Sequence, residues 1–245
     1  MDTRKATILI TGGGSGIGKA MAEALHARGA KVIIAGRRRK ALEAVADANP
    51  GMAFETLDVA DPEDVRSFAA RVVAAHPDLN VLINNAGIMV VEDGIDLDVA
   101  EQTIAINLLG PVRLTAALLP HLKSKPSATI VNVSSGLAFV PLAATPTYSA
   151  TKAAVHSWSQ SMRHQLKASS VRVLEWAPPG VATDLMPGHA DNPAYMPLAD
   201  FTAESLALFE GGASDEILVE RVKFLRGAEA RGEYATVFET LNGAH

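Results

Sequence analysis

Residues 6–18 read Ala-Thr-Ile-Leu-Ile-Thr-Gly-Gly-Gly-Ser-Gly-Ile-Gly, and the prediction of the fold begins from them. An apolar run of strand character leads into a glycine-rich turn, and an amphipathic helix follows. Glycine allows a tight turn and a close approach of the backbone to a ligand. The free N–H groups at the start of the helix suit a diphosphate. The spacing is Gly-x-x-x-Gly-x-Gly rather than the commoner Gly-x-Gly-x-x-Gly, so a loop that binds nothing remains the alternative.

The rest of the chain alternates short apolar runs with longer amphipathic segments. Strands are predicted at residues 6–11, 31–35, 53–57, 81–84, 128–134 and 171–177. Helices are predicted at residues 17–28, 39–48, 62–75, 99–122 and 148–167. Several strands are apolar throughout, as expected for strands that are buried on both faces. Repeated β-α-β order therefore predicts the α/β class, with a doubly wound parallel sheet that carries helices on both faces.

The chain shows no linker rich in glycine, serine and proline, so residues 1–245 are expected to form a single domain. The proline-rich stretch 178–197 reads as a loop, and residues 178–214 are expected to form a substrate-binding region. Residues 215–229 read as a helix, and residues 234–245 give no clear strand. A seventh strand is therefore doubtful.

Composition excludes several function classes. The chain has 245 residues, 48% hydrophobic, a formal net charge of −5 and no cysteine, which excludes disulfides and thiolate metal sites. The only dense basic run is four residues long, so no nucleic-acid surface is expected. The first apolar run is too short for a membrane span, and a cytoplasmic protein is predicted. His156 and His164 would lie about 12 Å apart on one helix, so no metal site is assigned.

Tyr148 and Lys152 stand four residues apart in a predicted helix, with Ser135 thirteen residues before the tyrosine. Residues at this spacing share one helix face. A neighbouring ammonium favours the phenolate, so we expect Lys152 to lower the pKa of Tyr148. A tyrosine tuned in this way can act as an acid or base, while a nearby serine holds the reacting oxygen. Taken alone the pair is weak evidence, because lysine at this spacing is commonly a solvated surface residue.

The end of the second strand bears on the choice of nucleotide. Domains that prefer NAD place an acidic residue there to hold the ribose 2′-hydroxyl. Here the chain reads Ala-Gly-Arg-Arg at positions 35–38. The planar guanidinium of Arg37 or Arg38 suits a 2′-phosphate, so NADP(H) is favoured over NAD(H). The alternative is that these arginines simply begin a solvated helix.

Five short motifs occur in order along the chain. They are Thr11-Gly12-x-x-x-Gly16-x-Gly18, Leu57-Asp58-Val59, Asn84-Asn85-Ala86-Gly87, Val133-Ser134-Ser135 and Tyr148-x-x-x-Lys152. Together they resemble the short-chain dehydrogenase/reductase family, from about residue 7 to residue 184. The resemblance implies a Rossmann-type domain. It also implies a dinucleotide held by Gly12, Ser15, Gly16, Ile17, Gly18, Arg37, Arg38, Asp58, Val59, Asn85, Ala86, Gly87, Tyr148, Lys152, Pro178 and Thr183.

The resemblance also implies catalytic roles. Tyr148 would be the acid in carbonyl reduction and the base in alcohol oxidation. Lys152 would lower the pKa of that phenol and hold the nicotinamide ribose, and Ser135 would bind the substrate oxygen. Asn107 would help to anchor a water that leads protons to Lys152. One departure from the family is Pro179, which stands where a glycine is usual and removes an N–H from the nicotinamide wall.

The resemblance further implies that two loops contact the substrate, the one after Ser135 (residues 136–146) and the one at residues 185–201. Their apolar side chains predict a pocket made by Leu137, Phe139, Leu142, Tyr195 and Met196. Neither loop contains arginine or lysine, so an uncharged carbonyl compound or alcohol is expected.

With the seventh strand in doubt, a homodimer through the helices at 99–122 and 148–167 is favoured over a tetramer.

Three other functions compete with an NADP(H)-dependent oxidoreductase. The first is the same reaction with NAD(H). The second is a binding protein that senses the redox state of the dinucleotide without turnover. The third is an epimerase or dehydratase, which would act on a sugar nucleotide or an acyl carrier and would need a charged clamp.

Overall fold

A computed structural model describes residues 3–212 and 215–243. Within them the strands are β1 (Thr7–Thr11), β2 (Lys31–Gly36), β3 (Ala53–Thr56), β4 (Val81–Asn84), β5 (Ala128–Val133), β6 (Val171–Trp176) and β7 (Glu216–Ile217). Every pairing is parallel, in the order β3-β2-β1-β4-β5-β6-β7. The predicted doubly wound α/β fold is confirmed, as one continuous sheet.

Helices cover both faces of the sheet. They are α1 (Gly16–Ala27), α2 (Arg39–Ala48), α3 (Pro62–Ala75), α4 (Leu97–Ile104), α5 (Gly110–Lys123), α6 (Pro146–Leu166), α7 (Leu198–Glu210), α8 (Lys223–Arg226) and α9 (Tyr234–Gly243). Apolar side chains of α1, α2 and α7 form one core, and those of α3, α5 and α6 form a second core on the opposite face.

The central strands are mostly apolar because each face meets one of these cores. Ile8 and Ile10 of β1 belong to the first core, whereas Leu9 between them belongs to the second. Side chains alternate between the faces of a strand, so a strand that is buried on both faces needs no polar positions.

The chain order reverses between β1 and β4, which are neighbours in the sheet. In open parallel sheets, ligands bind beyond the carboxyl ends of the strands at such a switch point. Thr11, Gly36, Asn84, Val133 and Trp176 end five neighbouring strands at this edge. The motifs that sequence analysis singled out follow these ends.

The helix predicted at residues 99–122 is interrupted. It consists of α4 and α5 joined by one wider π-type turn at Ala105–Leu109, which contains Asn107. Such turns in helices are frequently found at functional sites. Here the turn directs the buried amide of Asn107 towards the loop after β4, where it bonds to Ile88.

The C-terminal part differs most from prediction. The prediction of a helix at residues 215–229 is wrong. Glu216–Ile217 is a strand that pairs with β6, and Lys223–Arg226 is the only α-helical part of this range. The seventh strand is therefore present. Residues 178–214 are not all loop, since they contain α7, while positions 213 and 214 lie outside the described residues. Helix α9 was not predicted at all.

One helical stretch, Leu97–Lys123, has the length and composition of a membrane span. Within the fold, 44% of its most apolar window is buried. Leu114, Leu118 and Leu122 of this stretch lie in the core beside α3 and β5. Packing against the sheet thus accounts for much of its apolar character.

Candidate active site

A cavity of about 1320 Å³ lies along the carboxyl edge of the sheet. It gathers most of the residues that sequence analysis assigned to a site. The predicted residues that line it are Gly12, Ser15, Gly16, Ile17, Gly18, Arg37, Arg38, Val59, Asn85, Ala86, Gly87, Ser135, Leu137, Leu142, Tyr148, Lys152, Pro178, Thr183 and Tyr195.

The backbone of the glycine turn after β1 packs so closely against neighbouring atoms that side chains would not fit there. A Cβ on Gly18 would lie 2.4 Å from Nδ2 of Asn85 and 2.5 Å from the carbonyl oxygen of Gly12. Gly12 itself has a φ of 71°, which favours glycine. Gly12, Gly16 and Gly18 bring the backbone of this turn and the start of α1 to the cavity wall, which fits the diphosphate of a dinucleotide.

Thr11 ties the turn to the loop after β4. Its Oγ1 accepts hydrogen bonds from the backbone N–H groups of Asn85 and Ala86, both at 3.0 Å. Nδ2 of Asn85 donates in return to the carbonyl oxygen of Thr11 at 2.8 Å. The two motifs therefore form one rigid rim of the cavity. Asn85 thus has a structural role as well as its predicted place in the cofactor site.

Two arginines stand at the end of β2. Both Arg37 and Arg38 line the cavity, and Nη2 of Arg38 donates to Oγ of Ser15 at 2.7 Å. The guanidinium of Arg38 is thus held over the glycine turn. Asp58 is different, because its carboxylate accepts from the N–H of Ala60 and does not line the cavity. The carboxylate of Asp58 thus caps a turn, and its contact with the cofactor stays a prediction.

Tyr148, Lys152 and Ser135 converge at the centre of the cavity. The first two lie on the same face of α6 and Ser135 follows β5, and all three are buried. The Ser135 hydroxyl faces the Tyr148 phenol closely enough to lower the pKa of that phenol, and Oγ of Ser135 accepts from the N–H of Leu137 at 3.1 Å. Nζ of Lys152 donates to the carbonyl oxygen of Val133 at 2.8 Å and lies 5.5 Å from the centre of the Tyr148 ring.

The pKa of the phenol differs from the sequence-based expectation. Burial raises the pKa of Tyr148 to about 12, and the nearby Ser135 hydroxyl only partly offsets this effect. Burial also lowers the pKa of Lys152 to about 8. Desolvation therefore determines the direction of the shift, and Lys152 does not lower the pKa of the phenol as expected. The expected fall in the pKa of Tyr148 is wrong.

Asn107 lies next to these residues and outside the cavity lining. Its Oδ1 accepts from the N–H of Ile88 at 2.9 Å, and its Nδ2 donates to the carbonyl oxygen of Ile88 at 2.8 Å. A Cβ on Gly87 would lie 3.3 Å from Oδ1 of Asn107 and 3.7 Å from Nζ of Lys152. Asn107 and Lys152 thus flank the same glycine, and the water-anchoring role of Asn107 stays a prediction.

The buried Lys152 makes stability depend on pH. Its pKa is about 8 when folded and about 10.5 when exposed, so between these values the unfolded chain binds a proton that the folded chain lacks. Raising the pH through this window therefore stabilises the wild type relative to Lys152→Met, by about 3 kcal/mol. Urea unfolding of both proteins from pH 7.5 to pH 10 measures the difference. Parallel stability curves would contradict the assigned burial of the ammonium.

The predicted substrate pocket is partly right. Leu137, Leu142 and Tyr195 line the cavity, and the Tyr195 hydroxyl lies 3.2 Å from Nε2 of His189. Phe139 and Met196 do not line it. Phe139 packs against the ring of His156, and Met196 belongs to the first core, so a contact of either side chain with a substrate stays a prediction.

The C-terminal segment supplies cavity residues that sequence analysis missed. They are Arg221, Phe224, Leu225, Val237, Thr240 and Leu241. Asn242 of α9 holds the loop after Ser135, since its Oδ1 accepts from the N–H of Ala143 and its Nδ2 donates to the carbonyl oxygen of Pro141. The one available signal was the helical spacing of Val237 and Leu241.

Comparison with known proteins agrees with this geometry. Residues 6–193 match the family model for short chain dehydrogenases. The chain belongs to the short-chain dehydrogenase family. As a member, it is an oxidoreductase with the Rossmann-type sheet described above. The matched range includes the glycine turn and the Ser135, Tyr148 and Lys152 site, but it stops before α7, β7 and α9.

Three short-chain dehydrogenase-like proteins illustrate the relationship. A Bacillus subtilis (strain 168) protein named uncharacterized oxidoreductase DltE is 41% identical over 243 residues, which cover 96% of each chain. A short chain dehydrogenase from Burkholderia cenocepacia J2315, solved in complex with NADP, is 28% identical, with a TM-score of 0.84 over 98% of this chain and 99% of its own. A Burkholderia phymatum relative in complex with NAD has a TM-score of 0.83 over 97% of this chain and 96% of its own; at 20% identity it shows the fold alone.

Proposed function

We propose that this protein transfers a hydride between NADP(H) and an uncharged alcohol or carbonyl compound. The observation that carries the proposal is the convergence of Ser135, Tyr148 and Lys152 in a cavity that begins at the glycine turn. A bound nicotinamide supplies the hydride or accepts it. The protein supplies the proton, the orientation of the substrate oxygen and a site with little water.

The proton moves at the Tyr148 phenol. With a pKa of about 12, the phenol is protonated at neutral pH and can serve as the acid in carbonyl reduction. In alcohol oxidation it must first become phenolate. A cationic Lys152 beside it favours that charge, and the Ser135 hydroxyl does the same. Ser135 also directs the reacting oxygen towards the phenol.

The preference for NADP(H) rests on Arg37 and Arg38 at the end of β2. They line the cavity where an NAD-preferring domain has a carboxylate. Two guanidinium groups provide charge-assisted hydrogen bonds for a 2′-phosphate. The same reaction with NAD(H) is the alternative.

An uncharged substrate is supported by the apolar side chains around the reaction centre, among them Leu137, Leu142 and Val237. Arg221 also lines the cavity, although it lies outside the two loops considered from sequence. Its guanidinium donates to the carbonyl oxygen of Ala194, which gives it a role in holding the substrate loop.

A screen of aldehydes, ketones and alcohols with NADPH and NADP⁺ tests the proposed function, by following the absorbance of the reduced nicotinamide. Turnover of an uncharged compound is expected, faster with the phosphorylated cofactor. A redox-sensing protein would instead bind NADPH and leave every compound unchanged, and that result would refute the proposal. Turnover of a sugar nucleotide or acyl-carrier substrate alone would favour the epimerase or dehydratase alternative.

We also propose that the protein forms a homodimer through α4, α5 and α6. Large apolar side chains are exposed along the first part of this surface, with Leu97 at 68%, Ile104 at 39% and Leu109 at 37%. Sedimentation velocity is expected to give twice the mass of the chain, and the charged double variant Ile104→Glu/Leu109→Glu should sediment as a monomer. A wild type that is monomeric at high micromolar concentration would contradict this assignment.

A further inference from the structure

A buried polar chain extends from the cavity towards the C-terminal segment. Glu175 of β6 is fully buried, which is costly for a carboxylate unless its oxygens are hydrogen-bonded. Oγ of Ser134 donates to one oxygen at 2.5 Å, and Nδ1 of His156 lies 2.7 Å from the other. Ser134, Glu175 and His156 therefore form a continuous series of hydrogen-bonded side chains. Its members come from the end of β5, from β6 and from α6.

Glu216 and Arg226 are the charged groups of the C-terminal segment that face these hydrogen-bonded side chains. His156, Glu175 and Glu216 bring their ligand atoms within 4.8 Å of one another, a spacing that could hold a metal ion. However, Nε and Nη2 of Arg226 donate to both oxygens of Glu216 at 3.1–3.2 Å. All four carboxylate oxygens thus have protein partners. Glu175 is bonded to Ser134 and His156, and Nε2 of His156 lies 3.1 Å from Nε2 of Gln160, while Glu216 is paired separately with the Arg226 guanidinium.

His156 lies on the same helix as the proposed catalytic residues and at the same spacing. Helix α6 presents Tyr148, Lys152 and His156 at intervals of four residues, so they lie along one helix face. Each is associated with one of three consecutive residues at the end of β5. Lys152 bonds to the carbonyl oxygen of Val133, His156 reaches Ser134 through Glu175, and Tyr148 faces Ser135 across the cavity.

We propose that Glu175 and His156 are positioning residues that act through Ser134 to place the Ser135 hydroxyl against the Tyr148 phenol. This inference rests on the proposed function. Ser134 and Ser135 are adjacent, so rotation of the backbone at one moves the side chain of the other. The N–H of Ser134 donates to the carbonyl oxygen of Trp176 at 2.9 Å, and the bond to Glu175 adds the second anchor.

The turn around Ser135 is held further along the chain by the N–H of Gly136, which donates to the carbonyl oxygen of Pro178 at 2.8 Å, and by the N–H of Leu137, which donates to Oγ of Ser135 at 3.1 Å. Loss of the bond between Ser134 and Glu175 is therefore expected to displace Ser135 slightly and not to free it.

The test compares Ser134→Ala with the wild type. We expect kcat to fall on the order of tenfold, because small displacements of a reacting group are costly. The KM for NADPH should change by less than about twofold, since the nucleotide rim is untouched. In alcohol oxidation, the pH at which the rate rises should move upward, because a displaced Ser135 no longer stabilises the phenolate. Ser135→Ala removes the hydroxyl altogether, so it should give the largest upward shift of the pH profile that loss of the Ser135 contact can cause.

Two substitutions of Glu175 separate positioning from simple support of the fold. Glu175→Leu removes the acceptor and should reproduce Ser134→Ala, and the double variant should be no worse than the poorer single variant. Glu175→Gln keeps an oxygen that can accept from Ser134, so it should restore much of the activity. The matched control is His121→Gln, which removes another histidine bonded across elements, to the carbonyl oxygen of Leu79 at 3.0 Å. It should leave the pH profile unchanged.

Specific outcomes would overturn the inference. They are an unshifted pH profile in Ser134→Ala, additive effects in the double variant, or tight Zn²⁺ binding that Glu175→Leu abolishes. If Glu175→Leu fails to fold, Ser134→Ala with Glu175→Gln still decides the question. An inactive wild type would refute the proposed function instead. In that case, crystal structures of the wild type and of Ser134→Ala test the placement of Ser135, and an unmoved hydroxyl would refute the inference.

Discussion

Tyr148→Phe is expected to lower kcat for reduction of an accepted ketone by about a thousandfold. The substitution removes one hydroxyl from a buried ring and leaves the ring in place. Without the phenol, the acid that remains at the cavity centre is the Lys152 ammonium, and its Nζ is directed to the carbonyl oxygen of Val133 at 2.8 Å and not to the substrate oxygen. Steady-state kinetics with NADPH measure the loss, and fluorescence titration should give an unchanged Kd for NADPH.

Tyr234→Phe is the matched control for this prediction. Tyr234 begins α9, stacks on Phe238 and does not line the cavity, so removal of its hydroxyl should leave kcat unchanged. Near-wild-type turnover in Tyr148→Phe would contradict the assignment of the proton donor. A parallel loss of NADPH binding would instead assign Tyr148 to the binding of the cofactor.

Arg37→Ala is expected to raise the Kd for NADPH by about 10–100-fold and to leave the Kd for NADH nearly unchanged. A charge-assisted hydrogen bond to phosphate contributes about 1.5–3 kcal/mol, and every 1.4 kcal/mol is about tenfold in affinity. NADH lacks the 2′-phosphate and cannot lose that contribution. Arg37→Asp should go further, since its carboxylate repels the phosphate and can accept from a ribose hydroxyl.

Arg39→Ala is the control for the same basic run. The guanidinium of Arg39 lies over the ring of Phe54, 5.4 Å from its centre, and Arg39 does not line the cavity. Its removal should change neither affinity. Equal losses for NADPH and NADH in Arg37→Ala would mean that Arg37 supports the turn and does not recognise the phosphate. Unchanged affinity for NADPH would leave Arg38, which is already bonded to Ser15, as the candidate.

Local motifs made the carboxyl edge of the sheet predictable. The glycine turn, the loop beginning at Asn84 and the pair of Tyr148 and Lys152 each carry their information within a few residues. The alternation of apolar runs with amphipathic helices then indicates the order in which they meet, because parallel strands end at one edge. For this reason most of the predicted residues line one cavity.

Features that depend on distant contacts were not predictable in the same way. The strand Glu216–Ile217 has two residues and exists through its pairing with β6, while Glu216 bonds to Arg226 ten residues later. Burial of Tyr148 is a property of the whole fold, so the direction of its pKa could not be read from the neighbouring lysine. Phe139 was assigned to the substrate by its place in a loop, although its ring faces His156.

Isotope transfer tests the central claim most directly. The wild type is incubated with an accepted ketone and NADPH that carries deuterium on both positions of nicotinamide C4, and the product is examined by mass spectrometry. The account predicts an alcohol with one deuterium on the carbinol carbon, and at most a trace of this product from Tyr148→Phe. Formation of unlabelled alcohol, or tight binding of NADPH without reduction of any carbonyl compound, would contradict it.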